Sequence, residues 1–131
     1  MIRAVFLTLF LMIGSALAQE EFQTNGGDTT YTMKKYFLCL LKKGPNRAQD
    51  SLQAAEIQKG HMDHISRLAK DGKISMAGPM GDNGEIRGIL IFNTATLEEA
   101  ERLQSEDPAV RAGRLVMEIH PWWAARGSVL K

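Results

Sequence analysis

Short apolar runs alternate with amphipathic stretches along most of the chain. Tyr36–Leu41 (YFLCLL) is an unbroken apolar run, which is typical of a strand that is buried on both faces. From Ser51 to Lys70 the apolar residues recur every three or four positions, and this spacing predicts a helix with one buried face. Asp50 and Gln53 have the spacing of a capping box at its start, and Gly72 suits the left-handed position after its end.

The second half of the chain continues this alternation. The elements predicted there are strands at Lys73–Ala77, Ile86–Phe92 and Arg114–His120, a helix from Thr96 to about Ser105, and a short helical turn that starts at Asp107-Pro108. Pro121 is expected to close the last strand, with Trp122 and Trp123 in an irregular tail. The order β-α-β-β-α-β predicts a ferredoxin-like α+β fold with an antiparallel four-stranded sheet.

Both faces of the predicted sheet carry apolar side chains. In the first strand, Phe37, Cys39 and Leu41 alternate with Tyr36, Leu38 and Leu40, and Ile86–Phe92 shows the same pattern. Two helices cover only one face of such a sheet, so the other face must meet water or a partner. Because large exposed apolar patches are uncommon in monomers, we expect a homodimer in which two sheets pack face to face.

The N-terminus has the features of a secretory signal peptide over residues 1–18. Arg3 supplies a positive charge, Ala4–Ile13 is apolar except at Thr8, and Ala16-Leu17-Ala18 has the small-x-small pattern of a cleavage site. An uncleaved membrane anchor is the alternative, but the apolar run is shorter than the ~20 residues that a spanning helix needs. We therefore expect export to the periplasm or the medium, with no stable membrane span after cleavage.

The following segment, Gln19–Thr32, is polar, contains glycine and lacks periodicity. These properties predict a flexible tether between the cleavage site and the folded unit. The α+β domain is then expected to occupy Met33–Lys131.

Charge and cysteine content exclude several classes of function. The chain has 16 Lys and Arg against 15 Asp and Glu, and the charges are interspersed, so that a nucleic-acid-binding surface is not expected. The single cysteine, Cys39, excludes an intramolecular disulfide, and its mid-strand position favours a small buried hydrophobe over a nucleophile. His61 and His64 are three residues apart, but no third metal ligand lies at a recognisable spacing, and no motif implies a cofactor.

The two histidines of the first helix have different expected surroundings. On a helical wheel at about 100° per residue, His61 lies inside the apolar arc and His64 lies at its border. The arc is formed by Ile57, Ile65 and Leu68. A buried imidazole needs a partner to fix its tautomer, and a carboxylate on one nitrogen leaves the other nitrogen basic. The same position is also compatible with a purely structural histidine in the core.

Three loop aspartates, Asp71, Asp82 and Asp107, are candidate partners of His61. Asp107 has the most constrained setting, because Pro108 fixes the next backbone angle and starts a helical turn. Capping of that turn is a sufficient explanation for Asp107 by itself. Composition does not choose among the three.

A series of short motifs resembles the YCII-related family. In chain order these are Gly60-His61, AKDGK at Ala69–Lys73, Ala77-Gly78-Pro79, Asp82-Asn83-Gly84, Arg87-Gly88-Ile89, Glu98-Glu99-Ala100 and DPAV at Asp107–Val110. The resemblance covers about Met33 to Trp123 and rests on their order and spacing. It implies a dimeric ferredoxin-like α+β barrel related to muconolactone isomerase-type proteins, with a His–Asp dyad at His61 and Asp107. The general activity of the family is largely unassigned, and a protein of this type dehalogenates a chlorinated lactone.

With this resemblance, His61 and Asp107 are expected to face a ligand. Asp107 would orient and polarise His61, whose free nitrogen would exchange a proton with an acidic carbon or a leaving group. The Gly78-Pro79 turn is expected to offer backbone amides to an anionic substrate. Arg87 suits bidentate binding of a substrate carboxylate, although an exposed arginine at a strand edge explains it equally well.

Two functions from different classes fit these residues. The first is a small dimeric enzyme in which the dyad performs lyase-, isomerase- or dehalogenase-like acid/base chemistry on a small anionic molecule such as a lactone or enol acid. The alternative is a non-catalytic ligand-binding or accessory dimer, in which the same polar pair holds a ligand without reaction. The chemical fate of a bound ligand distinguishes the two.

Overall fold

The computed structural model describes residues 17–131. The elements in this part of the chain are β1 (Glu21–Gly26), β2 (Thr29–Lys43), α1 (Ser51–Lys70), β3 (Ile74–Pro79), β4 (Ile86–Phe92), α2 (Leu97–Ser105), α3 (Pro108–Arg111) and β5 (Leu115–Ala125).

Local capping interactions set the ends of the two longer helices. The Asp50 carboxylate accepts the Gln53 backbone N–H at 2.8 Å, and the Gln53 side-chain oxygen accepts the Asp50 N–H at 3.2 Å. After α1 the chain turns through Gly72 at a φ of 72°. The Thr96 hydroxyl caps α2 by accepting the Glu99 N–H at 3.1 Å. The predicted extents of both helices are confirmed.

β2 is the central strand of the sheet. β5 lies antiparallel along one side of it, and β4 lies antiparallel along the other side, opposite Phe37–Lys42. β3 pairs with the outer side of β4, so these strands have the order β5-β2-β4-β3. This order and the two long crossover helices make the fold ferredoxin-like, as the sequence pattern predicts.

The segment predicted as a flexible tether is instead a β-hairpin. β1 pairs with the first part of β2, from Glu21 opposite Lys34 to Gly26 opposite Thr29, and Gly27 turns the chain at a φ of 65°. Every residue of β1 is exposed, so no buried face imposes an apolar–polar alternation on the sequence. The hairpin therefore lacks the signal by which the other strands are predicted.

The last strand is also longer than predicted. β5 continues through Pro121 to Ala125, so Trp122 and Trp123 are strand residues rather than part of an irregular tail. Among the strands described, β5 pairs with β2 only and thus lies at an edge of the sheet. Proline is tolerated on an edge strand, because its missing N–H can face away from the neighbouring strand.

The helices cover one face of the sheet. The buried core on that face consists of Phe37, Cys39, Leu41, Leu68, Ile74, Leu90, Phe92, Ala100 and Leu103. The alternation of side chains along β2 and β4 places Leu38, Leu40, Ile89 and Ile91 on the opposite face, which we call the open face. This face is apolar at its centre, whereas Glu118 and His120 of β5 make its border polar.

The N-terminal end of the described chain continues the hairpin. The Glu20 carbonyl accepts the Lys35 N–H at 3.0 Å, and the Gln19 side-chain amide donates to the Thr94 carbonyl at 2.9 Å. Residues 1–16, which hold most of the predicted signal peptide, lie outside the described residues. Within residues 17–131, no helix has both the length and the apolar character needed to cross a membrane.

Candidate active site

His61 and Asp107 contact each other although they are 46 positions apart in the sequence. The His61 Nδ1 atom lies 2.7 Å from Asp107 Oδ2. Both residues are buried, with 8% of His61 and 0% of Asp107 exposed. Of the three aspartates considered from the sequence, Asp107 is the one that contacts His61. Asp71 ends α1, and Asp82 accepts the Gly84 N–H within the β3–β4 loop.

Close packing between α1 and α3 brings Asp107 within hydrogen-bond distance of His61. Gly60 precedes His61, and a Cβ atom at position 60 would lie 3.0 Å from Pro108 Cγ and 3.2 Å from Pro108 Cβ. Pro108 begins α3, so the absence of a side chain at Gly60 lets the start of α3 approach α1 closely. The motifs Gly60-His61 and Asp107-Pro108 therefore form one structural unit.

Asp107 performs two roles with its two oxygens. Oδ1 accepts the Ala109 backbone N–H at 2.8 Å and caps α3, whereas Oδ2 accepts hydrogen bonds from the side chains of His61 and Gln104. Capping and dyad formation are thus both present. Burial raises the pKa of Asp107, but the hydrogen bonds from His61, Ala109 and Gln104 outweigh burial and hold the pKa below its ordinary value. The carboxylate is therefore ionised at neutral pH and acts as a hydrogen-bond acceptor.

An ionised Asp107 fixes the tautomer of the neutral His61 ring. Because the carboxylate accepts only, Nδ1 carries the proton of the shared hydrogen bond and Nε2 is left with a lone pair. The ring lines a cleft of about 450 Å³ between α1 and the β3–β4 hairpin. The other residues that line the cleft include Leu41, Met62, Ile65, Arg87 and Leu90. This arrangement places a basic nitrogen beside a largely apolar cleft.

Arg87, Gly78 and Pro79 line the same cleft as His61. One end of the Arg87 guanidinium, Nη1, donates to the carbonyl oxygens of Asp82 and Gly84 at 2.8 and 3.3 Å. The β3–β4 loop thus holds the guanidinium, and its remaining N–H groups are not used in these contacts.

Gly78 and Pro79 belong to strand β3 and do not form the predicted turn. They lie opposite Ile89 and Gly88 in the ladder between β3 and β4. Pro79 has no backbone N–H, so this pair cannot supply the two amide donors expected of an oxyanion site. The strands approach closely here, since a Cβ at Gly88 would lie only 3.1 Å from the Gly78 carbonyl oxygen.

His64 is more deeply buried than its place on the helical wheel indicates, with 1% of its surface exposed. Its Nδ1 accepts from Arg67 Nη2 at 2.9 Å, so the neutral ring carries its proton on Nε2. That Nε2 atom is buried and has no hydrogen-bond partner within residues 17–131. Burial lowers the pKa of His64, and the Arg67 charge acts in the same direction, whereas Asp107 opposes them.

Cys39, Trp122 and Trp123 are not among the residues that line the cleft. Cys39 is fully buried, and burial raises the pKa of its thiol to about 12, which agrees with a structural role. Trp122 and Trp123 pack against aromatic neighbours, with ring centroids 6.5 Å from Tyr36 and 4.9 Å from Phe22, respectively. Residues 17–131 contain no cluster of three or more His, Cys, Asp or Glu side chains arranged to hold a metal ion.

Sequence reasoning overlooked Gln104, which donates to Asp107 Oδ2 at 2.8 Å and is 0% exposed. A signal was present in the sequence. Gln104 lies four residues after Ala100 and seven after Leu97, so it is a polar residue on the apolar face of α2.

Comparison with known proteins agrees with this fold. No curated protein matches the sequence significantly. Nine solved chains match in structure. One is 5-chloro-2-hydroxyhydroquinone dehydrochlorinase from Burkholderia phenoliruptrix in complex with 2,5-dihydroxybenzoquinone, at 23% identity and a TM-score of 0.52. The match covers 66% of this chain and 92% of that chain, and it supports the fold. The sequence model of the YCII-related domain matches residues 35–123, which include His61 and Asp107, and the chain therefore belongs to the YCII-related domain family.

Proposed function

We propose that the protein is a small-molecule enzyme that uses His61 and Asp107 as an acid/base dyad on a small anionic substrate of the lactone or enol-acid class. The observation that carries this proposal is the 2.7 Å contact between His61 Nδ1 and Asp107 Oδ2 at the wall of the cleft. General acid–base groups need a defined tautomer and access to the substrate, and the hydrogen bond to Asp107 and the position of His61 at the cleft support the proposal on these two points.

The proton moves through His61 Nε2. This atom takes a proton from an acidic carbon or hydroxyl of the substrate, and the electron pair left behind forms an enolate or expels a leaving group. The ring becomes an imidazolium whose positive charge is stabilised by the Asp107 carboxylate 2.7 Å away. The same Nε2–H then returns its proton to the product or to the departing group, which restores the neutral ring.

Arg87 is the proposed anion-binding residue. It stands at the same cleft as His61, and the loop carbonyls of Asp82 and Gly84 hold one end of its guanidinium in place. A guanidinium fixed in this manner can pair with a carboxylate or enolate through its remaining N–H groups. Apolar neighbours such as Met62 and Ile65 would contact the carbon skeleton of the ligand.

The dehydrochlorinase that is similar in structure adds chemical support for this substrate class. Its bound compound, 2,5-dihydroxybenzoquinone, is a small ring with enolic hydroxyl groups. A base of moderate strength, such as a neutral imidazole, suits the removal of protons from such groups at neutral pH.

A substrate panel with one substitution tests the proposal. The purified protein is incubated with lactones, enol acids and chlorinated hydroxyhydroquinones, and the products are identified by mass spectrometry. For any compound converted, we expect His61→Ala to abolish turnover and Lys59→Ala, an exposed residue on the same helix, to retain it. Unchanged turnover in His61→Ala would refute the dyad. A compound that raises the thermal midpoint but is recovered unaltered would favour the non-catalytic ligand-binding protein.

We also propose that the chain is exported and cleaved after Ala18. The signal-peptide features of residues 1–18 support this proposal. Intact mass spectrometry of the protein recovered from periplasm or medium should show a chain that begins at Gln19. A chain that retains Met1 in the cytoplasm would contradict export.

A further inference from the structure

We infer that Gln104 is a positioning residue of the dyad, which holds the Asp107 carboxylate in the orientation that His61 needs. The inference deepens the proposed function and rests on it for its catalytic meaning. The hydrogen bonds among His61, Asp107 and Gln104 can be measured without a substrate, so the structural part of the inference does not depend on turnover.

The Asp107 carboxylate is held from three directions. His61 Nδ1 on α1 lies 2.7 Å from Oδ2, Gln104 Nε2 on α2 donates to the same oxygen at 2.8 Å, and the Ala109 N–H of α3 donates to Oδ1 at 2.8 Å. A rotation of the carboxylate about its Cβ–Cγ bond would disturb all three hydrogen bonds together. Without Gln104, one donor would remain on each oxygen, and the group could turn while His61 follows it.

The orientation of the Gln104 amide follows from the charge of its partner. An ionised carboxylate cannot donate, so the amide must direct its NH2 group toward Asp107 and its oxygen away. That oxygen, Oε1, is buried and has no hydrogen-bond partner within residues 17–131. An unpaired buried carbonyl oxygen is unfavourable, and a methionine of similar shape would not bear this cost. The donor N–H to Asp107 is therefore the chemical property that distinguishes glutamine from an apolar residue here.

The surroundings of Gln104 otherwise favour an apolar side chain. It is 0% exposed and shares the buried face of α2 with Ala100 and Leu103. The ionisable groups that interact electrostatically with Asp107 include His61 and His64 on α1 and Cys39 on β2, and Glu106 precedes it in the chain. A substitution at Gln104 changes none of these groups, so a change in the behaviour of Asp107 can be assigned to the lost donor.

The test compares Gln104→Met with Leu103→Met, a buried neighbour on α2 whose side chain has no hydrogen-bonding group. The Asp107 carboxyl is titrated by 13C NMR, and the tautomer of His61 is read from its imidazole 15N shifts. Removal of one N–H donor from a carboxylate should lower the acid constant of Asp107 about tenfold. It should also broaden or weaken the His61 Nδ1–H signal.

We expect neither change in Leu103→Met, even if it loses comparable stability. If Gln104→Met titrates as the wild type does, Gln104 is only a packing residue and the inference is wrong.

A measurement on the unaltered protein covers the case in which Gln104→Met does not fold. One side-chain N–H proton of Gln104 should exchange slowly and show a scalar coupling across the hydrogen bond to the Asp107 carboxyl carbon. The exposed side chain of Gln53 is the reference for rapid exchange. Rapid exchange of both Gln104 side-chain protons would overturn the inference.

Turnover separates this inference from the proposed function. With a converted substrate, Gln104→Met should lower kcat about tenfold and leave KM unchanged, because Gln104 does not line the cleft. A lower kcat with an unchanged KM, together with the NMR changes, supports the positioning role. If the NMR changes occur and no substrate is ever converted, Gln104 positions the dyad of a binding protein, and the proposed enzyme alone is refuted. A rise in KM with kcat unchanged would contradict positioning.

Discussion

At the scale of single residues, the site depends on a carboxylate that is removed from water and still ionised. Asp107 accepts three hydrogen bonds, and these hold its pKa below the ordinary value in spite of burial. His61 donates from the distant helix α1, whereas Gln104 and Ala109 lie within three residues of Asp107. A buried charge of this kind is stable only while its partners are complete, so single substitutions at the site should affect stability and chemistry together.

Asp107→Asn should disable the dyad without removing the cap. The amide oxygen can still accept the Ala109 N–H, but its NH2 group would then face the donors of His61 and Gln104. His61 should move its proton to Nε2, which removes the base from the cleft. We expect turnover to fall by roughly 10²–10⁴-fold and unfolding free energy to fall by about 1–3 kcal/mol. Steady-state kinetics, urea unfolding and imidazole 15N shifts measure these changes, and an unaltered tautomer would contradict the argument.

The same carboxylate predicts an acid-sensitive stability. Because the folded pKa of Asp107 is lowered, its charge stabilises the native state above the unfolded pKa of about 3.9. That contribution is lost as the pH falls from there through the lower native pKa. Urea unfolding at a series of pH values should show a shallower acid decline in Asp107→Asn than in the wild type. Asp63→Asn, at an exposed position on α1, is the control.

At the scale of elements, the contact between α1 and α3 determines where the dyad lies. Gly60 leaves room for Pro108, and Asp107 enters hydrogen-bond reach of His61 as a result. Glycine in the middle of a helix is otherwise unfavourable. The close approach thus explains a residue that helix propensity alone would disfavour.

Gly60→Ala should set two opposing effects against each other. Alanine improves helix propensity by about 1 kcal/mol, whereas its Cβ meets Pro108 Cγ at 3.0 Å and pushes α3 outward. We expect the stability gain to be largely cancelled and the His61 Nδ1–H signal to weaken. Ala55→Gly, in the exposed part of α1, should lose about 1 kcal/mol and leave the dyad signal intact. A full gain in stability with an unchanged His61 Nδ1–H signal would contradict this prediction, because it would show that α3 moves without disturbing the dyad.

The hairpin formed by β1 and the start of β2 is attached to the sheet partly through aromatic packing. Phe22 and Trp123 meet edge to face, with ring centroids 4.9 Å apart. A double-mutant cycle between Phe22→Ala and Trp123→Ala should give a coupling energy of about 0.5–1.5 kcal/mol in urea unfolding. The matched cycle with Trp122→Ala should give a coupling near zero, because Trp122 packs against Tyr36 instead. Equal coupling in both cycles would mean that the hairpin lies differently on the sheet.

At the scale of the whole molecule, the open face is the feature that one chain leaves unexplained. Its centre is formed by the half-buried residues Leu38, Leu40 and Ile89 and by the buried Ile91, and helices α1 and α2 pack on the opposite side. A homodimer that buries two such faces against each other remains our proposal for the assembly.

Leu40→Lys should convert the proposed dimer into a monomer. The substitution places a charge at the centre of the open face, where a partner would exclude water. Sedimentation velocity should show a dimer for the wild type and a monomer for Leu40→Lys. Leu52→Lys, at a highly exposed position on α1, should leave the dimer intact. A monomeric wild type at micromolar concentration would contradict the proposal.

How well each element can be predicted depends on how far apart in sequence the interacting residues are. The ends of α1 and α2 depend on caps within a few residues, such as Asp50 with Gln53, and these are readable in sequence. The hairpin at Glu21–Gly26 escaped prediction because it buries no face. His64 was placed at the border of the apolar arc because a wheel includes only its own helix, whereas other elements cover this residue in the fold.

Local sequence established the helices, the inner strands, their apolar faces and the place of His61 within a buried arc. Local sequence did not identify the partner of His61, because three aspartates were candidates and only the family resemblance favoured Asp107. The tertiary structure chose among them, because the close packing of Gly60 against Pro108 joins segments 46 positions apart. It also showed that Gln104, three residues before Asp107, turns its side-chain amide toward the same carboxylate. Hydrogen bonds between distant segments depend on how helices pack, and no spacing along the chain encodes that geometry.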